Sequence, residues 1–305
     1  MRMDNQRQSD NFRDRGTGSG GGGGGGGLGA NALMAIISRL GIRGALLAAV
    51  VLAGVWFFVP GMRAPLMSLV GIGGGGEVQS SGQVCDQHQA ACVFSSQVLA
   101  STEDVWRQQF QQRRLPNYGA TPAAYTEPEL HVFQGAVSTA CGNATSAVGP
   151  FYCPGDNQLY IDPTFYETMQ TRLNAPGDFA QAYVIAHEVG HHIQNLIGSM
   201  RRQMPGETQN QISVRTELQA DCFAGVWGHS ARADLAIDEA DLREALGAAH
   251  AIGDDTLQRQ SQGYVNPNEF SHGSSAQRMR WFRRGFDSGD ATQCDTFAVA
   301  NYDQL

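Results

Sequence analysis

Two stretches of the chain run almost without charge, and they predict different things. From Phe179 to Leu196 the positions are helix-compatible and largely apolar, with Asp178 in front to start a helix and Gly198 behind to end it. Residues 44–62, between Arg43 and Arg63, hold no charged side chain at all. As a helix that run would measure roughly 28 Å, about the thickness of a bilayer core. It predicts an uncleaved transmembrane anchor. A cleaved signal peptide would need a much shorter leader and a small-residue cleavage site, and neither is present.

Elsewhere the patterning is mostly helical. Ser101, Thr102 and Glu103 read as a cap that opens a helix through Phe110 and Arg114. Strand-like runs at residues 130–133 and 158–162 flank a turn-rich loop at 149–154. Asp162-Pro163 suits a helix start, running to about Leu173, and further helices are expected over residues 213–227, 238–252 and 274–286. The fold class is α+β, mostly helical with a short sheet. Low-complexity sequence surrounds the apolar span, with an unbroken glycine run at 20–27 and more glycine at 73–76. The expected division is therefore a disordered, Gly-rich segment at 1–43, the anchor at 44–62, a linker at 63–84 and a folded domain at 85–305.

Charge adds an orientation. The net charge is −8, which gives no support to a nucleic-acid partner. Residues 1–43 hold six Arg against three Asp, so the acidic excess lies beyond the span. A basic leader before an apolar span predicts a cytoplasmic N-terminus and an exported body, periplasmic or extracellular, on a single-pass inner-membrane protein. Cysteine usage agrees. All six cysteines (85, 92, 141, 153, 222 and 294) follow the span, as disulfides in an oxidising compartment would. Six cysteines allow fifteen pairings. Proximity favours Cys85–Cys92 and Cys141–Cys153, which leaves Cys222–Cys294.

Chemistry concentrates in His187-Glu188-Val189-Gly190-His191. On a helix, residues four apart share a face, so His187 and His191 can offer two imidazole nitrogens to one zinc ion. Glu188 leans towards the same place but sits too far round to ligate comfortably, which suits a base that takes a proton from the attacking water. Two core histidines beside a buried glutamate would instead leave polar groups without partners. A catalytic zinc generally takes a third protein ligand. The positions where a third histidine would follow hold Gln194 and Ile197, whereas Glu217 is followed four residues on by Asp221. Glu217 is the expected third ligand, and Asp221 the group that holds the free N–H of His187. Glu207 is a weaker rival, since position 211 is Gln. His272 and Tyr264 are candidates for stabilising an oxyanion, and residues 159–161 for pairing with an extended substrate.

The chain resembles a bacterial family of neutral zinc metallopeptidases. The resemblance rests on Arg7-Gln8-Ser9-Asp10-Asn11, the glycine-rich stretch, the anchor and Gly149-Pro150-Phe151-Tyr152-Cys153-Pro154. It continues through the His187–His191 motif and His192, residues 217–222, Ala251-Ile252-Gly253-Asp254-Asp255, His272-Gly273-Ser274-Ser275 and Gln277-Arg278. It implies a zincin-like domain, Zn2+ as cofactor, a peptide or protein substrate and bilayer contact through residues 44–62. The competing expectation is a non-catalytic, zinc-stabilised binding or scaffolding module at the cell envelope.

Overall fold

The computed structural model describes residues 1–19, 79–119 and 124–305. The expected anchor at 44–62 lies outside the described residues, as does the glycine run. Among the described residues no helix is long and apolar enough to cross a membrane.

The first correction falls at the amino terminus. Residues 1–19, expected to be disordered, are folded onto the body, and residues Phe12–Ser19 form a strand, β1. Composition misses this because the partners of these polar side chains are remote in sequence. Arg7 donates to Glu103 and Asp104, both at 2.8 Å, Ser9 donates to Glu103, and the Asn11 amide reaches Glu103 at 2.9 Å. The carboxylate of Glu103 is buried, so these donors answer a demand that the body itself creates.

Strand β2 (Gln79–Ser81) pairs antiparallel with β1, matching Ser19 to Gln79. Helix α1 (Gln89–Gln111) follows, and it begins well before the expected cap at Ser101. Ser101, Thr102 and Glu103 are interior helix residues. The Thr102 hydroxyl donates back to the Leu99 carbonyl at 2.7 Å, and Ser101 accepts the indole N–H of Trp227. Their polar groups are satisfied by tertiary contacts, which is why they do not mark a start.

Strand β3 (Glu129–Thr139) is the spine of the sheet and longer than the run at 130–133 predicts. It pairs parallel with β1 and with β6 (Gln158–Ile161), and turns into the short hairpin strand β4 (Gly142–Thr145). Strand β5 (Phe151–Cys153) pairs antiparallel with β6 and closes the order β2-β1-β3-β6-β5. Residues 159–161 are thus internal to the sheet, bonded on both sides. The edge available to an extended chain belongs to β5, which corrects the expectation from the sequence.

The remaining elements are α2 (Phe165–Thr171), α3 (Asp178–Ile197), α4 (Gln209–Ser230), α5 (Glu239–Ala251), α6 (Asp254–Gln262) and α7 (Ser275–Ser288). Helix α3 ends at Gly198 in the left-handed region, as the sequence predicts. Helix α4 opens further upstream than expected, on a capping box formed by Thr208 and Gln211. Contacts between helices are close where glycine permits it. A Cβ on Gly190 would lie 2.9 Å from the Ala220 carbonyl, and one on Gly285 only 1.9 Å from that of Cys222. These approaches lock α3 against α4 and α4 against α7. Phe179, Tyr183, Phe223, Trp227 and Phe282 fill the space between them, essentially without exposure. Burying each such side chain is worth about 1.5–3 kcal/mol.

Candidate metal centre

Helix α3 presents His187 and His191 one turn apart on one face, with ring centroids 4.7 Å from each other. Helix α4, held close through Gly190, brings Glu217 opposite them. Each imidazole is tied by its far nitrogen. Nδ1 of His187 lies 2.8 Å from Asp221, and Nδ1 of His191 lies 2.8 Å from the Gln194 amide oxygen. Both Nε2 atoms therefore turn to the Glu217 carboxylate, at 3.2 Å for His187 and 3.5 Å for His191. One donor atom from each residue lies within 4.8 Å of the other two.

That spacing fits a zinc ion. Arms of about 2.1 Å in a tetrahedron put ligand atoms roughly 3.4 Å apart. Two imidazole nitrogens and one carboxylate oxygen also form a suitable donor set for zinc. The surrounding carboxylates favour positive charge at this place, which a proton on the imidazoles supplies when no metal does. Burial works against the charged form of Glu217, yet the two imidazoles outweigh it and hold the carboxyl well below its usual range. For His187 burial is again opposed, by the charge and hydrogen bond of Asp221 and then by Glu217, and its pKa is held up at about 10.

Asp221 does more than hold His187. It accepts the Tyr183 hydroxyl at 2.6 Å and two N–H groups of Arg278, at 2.8 and 2.9 Å, in a fully buried cluster. The sequence assigns neither Tyr183 nor Arg278 a role in the site, although Arg278 stands among the residues that carry the family resemblance. Tyr183 carried a signal, since it stands one turn before His187 on the same helix face. Arg278 comes from α7, and no local spacing connects it to the site.

A cleft of about 580 Å³ opens over the three donors. Glu188 stands on its wall, together with Thr216, His272 and Arg278. Much of the remaining lining is apolar and includes Val148, Phe151, Phe165, Leu173, Met200 and Leu257. His272 is brought there by a loop built around Asp254. One oxygen of that carboxylate accepts the backbone N–H groups of Ser271, His272 and Gly273 at 2.7–3.0 Å, and the other lies 3.3 Å from His272 Nδ1. Tyr264, the other oxyanion candidate, is exposed and does not line the cleft. Glu207 is bound to Arg215 at 2.7 Å and is not among the cleft residues. His192 is buried between Tyr152 and the Thr126 carbonyl, where burial lowers its pKa to about 4.

The three disulfides are Cys85–Cys92, Cys141–Cys153 and Cys222–Cys294, the pairing that proximity favours. The last ties α4, at the residue directly after Asp221, to the C-terminal segment.

Fold and site together define a mostly helical α+β protein in which two histidines and a glutamate on paired helices form a candidate metal site. The chain belongs to the family described as "Putative neutral zinc metallopeptidase", which it matches over residues 1–297. Among its relatives is the protein YpfJ of Escherichia coli (strain K12), 52% identical over 225 residues, which span 72% of this chain and 76% of YpfJ. Another is the protein Rv2575 of Mycobacterium tuberculosis (strain H37Rv), 45% identical over 189 residues, which cover 58% of this chain and 64% of the relative. No solved structure matches the chain.

Proposed function

We propose that the protein hydrolyses peptide bonds outside the cytoplasm, using one zinc ion held by His187, His191 and Glu217. The observation that carries this reading is the convergence of both Nε2 atoms on Glu217 in a cleft that also holds Glu188. Zinc bound there would bring the pKa of water towards neutrality and polarise the scissile carbonyl. Glu188 accepts the proton of the attacking water and delivers it to the leaving amine. His272, with Nδ1 turned to Asp254, offers Nε2 to the oxyanion. The substrate lies along the free edge of β5 as an added strand, and its apolar side chains fill the wall between Phe151, Phe165 and Met200. Three disulfides support an oxidising compartment, and the apolar run at 44–62 supports contact with a bilayer.

The test is metal content and peptide cleavage of the full chain, for wild type and Glu217→Ala. One zinc per wild-type chain, clearly weakened in the variant and accompanied by cleavage of an apolar peptide library, is the expected result. Zinc retained without cleavage, and unfolding on chelation, would favour the binding module instead. No zinc after folding in zinc-supplemented, oxidising buffer would overturn the reading.

A further inference from the structure

The motif Arg7-Gln8-Ser9-Asp10-Asn11 has no part in the cleft, yet Arg7, Ser9 and Asn11 are all bonded to the body. Besides the bonds from Arg7 and Ser9 to Glu103, the Ser9 amide N–H donates to the Ser96 carbonyl at 3.2 Å. Asn11 reaches Glu127 at 2.7 Å, and its carbonyl accepts the Leu130 N–H at 2.9 Å. Further out, the Arg2 amide N–H donates to the Leu235 carbonyl, and the Gln97 side chain donates to the carbonyls of Met3 and Gln6. Downstream, Asp14 accepts the N–H groups of Val84 and Cys85, beside the first disulfide. Strand β1 then pairs parallel with β3 from Phe12↔Leu130 onwards. Residues 1–19 are a built part of the domain.

The same pairing fixes where the intervening stretch leaves and returns. Ser19 and Gln79 are partners in the β1–β2 ladder, so both ends of residues 20–78 stand side by side at one edge of one sheet. The uncharged run at 44–62 lies inside that stretch. Before it stand Arg39 and Arg43, before those eleven uncharged residues at 28–38, and before these the glycine run at 20–27. After it come Arg63, nine uncharged residues and four glycines. The stretch therefore holds one apolar run of bilayer length and lacks a second. One crossing would put β1 and β3 on opposite faces of the membrane, where no backbone ladder can join them.

We infer that residues 1–19 lie in the same compartment as the metal centre, on whichever side of a membrane the disulfide-bonded body stands. The cytoplasmic amino terminus expected from the charge asymmetry gives way to this arrangement. The six cysteines, paired in the body, fit an oxidising surrounding. Arg7, Ser9 and Asn11 share that surrounding.

The inference is independent of whether the site is catalytic. Its test uses the full chain in sealed, right-side-out membrane vesicles with single added cysteines at two exposed positions, Gln8→Cys in the amino-terminal segment and Gln260→Cys in the body. Each is treated with a membrane-impermeant maleimide before and after lysis. Equal behaviour of the two sites, both reactive before lysis or both only after, is expected. One site reactive before lysis and the other only after would overturn the inference. A second measurement reads the contact itself. Arg7→Glu faces the buried Glu103 with a like charge and should lower the melting temperature of the full chain by roughly 5–10 °C. Adding Glu103→Arg should recover part of the loss, and an unchanged melting temperature in Arg7→Glu would overturn the packing on which the inference stands.

Discussion

Arg278 places two N–H groups on the carboxylate of Asp221, at 2.8 and 2.9 Å, behind the ring of His187 and away from solvent. Asp221 is held below the ordinary carboxylate range: burial opposes its charge, but Arg278 and then His187 outweigh that cost. The pair thus fixes which nitrogen of His187 faces the cleft. Asp221→Asn retains the shape and loses the charge, and should weaken zinc affinity by roughly 10–100-fold. Competition against a chelator of known affinity measures it, and an unchanged affinity would detach Asp221 from the metal centre. Arg278→Met strips the buried Asp221 carboxylate of its arginine and leaves it only Tyr183 and His187, at a cost of about 3 kcal/mol in folding stability. Denaturant unfolding of the zinc-free chain reads that cost separately from metal binding.

Glu188 differs from the three donors in that it lines the cleft without joining their cluster. Glu188→Gln should bind zinc with wild-type stoichiometry and lose turnover by about 10²–10⁴-fold. Metal analysis and cleavage rates on one preparation check both halves. A variant cleaving at the wild-type rate would remove Glu188 from the mechanism.

Asp254 satisfies three consecutive backbone amides of the loop that carries His272. Asp254→Asn keeps the size of the side chain but weakens every one of those bonds. The expected result is a stability loss of about 1–3 kcal/mol, together with a fall in kcat larger than the change in KM. His272→Gln should reproduce the kinetic effect with little loss of stability. If it leaves kcat intact, His272 has no role in the chemistry.

The two ends of this site were legible in the sequence to different degrees. His187, Glu188 and His191 belong to one helix, where a spacing of four is itself geometry, and Glu217 with Asp221 repeats that spacing on a second helix. Gly198 and Asp238 mark element ends by local backbone chemistry, and the structure puts those ends where the residues indicate. What stayed hidden depends on partners remote in sequence. Arg278 meets Asp221 across 57 residues, and Arg7 meets Glu103 across 96. Neither pair leaves a periodic trace. The amino-terminal strand was misread for the same reason: its composition is that of a solvated tail until the buried carboxylate of Glu103 is known.

The Cys222–Cys294 bridge closes a separation of 72 residues, against 7 for Cys85–Cys92. Loop-closure entropy assigns about 4 kcal/mol to the longer and about 2 kcal/mol to the shorter. Replacing both cysteines of each pair by serine should therefore lower stability more for the Cys222 pair. It should also weaken zinc binding more, because Cys222 follows Asp221 directly. Equal losses in the two variants would show that the bridges act by native-state contacts and not through the unfolded chain.

Stability should also depend on pH through His131, which lies in the sheet and is not among the residues that line the cleft. The ring is buried on β3 against Tyr160, its Nε2 lies 3.0 Å from Glu129, and its Nδ1 has no hydrogen-bond partner. Burial lowers its pKa below the ordinary 6.5, against the opposing hydrogen bond to Glu129, while Arg15 adds to the lowering. The unfolded chain thus takes up a proton at a higher pH than the folded one. The contribution to stability is complete above about pH 6.5 and is lost as pH falls through the lower folded value. Urea midpoints should decline from pH 7 to pH 5 in the wild type, and less steeply in His131→Gln, which has no proton to gain there. Measuring both proteins without zinc keeps the titration of the metal donors common to the two curves. Parallel curves would show that His131 is not the group that titrates.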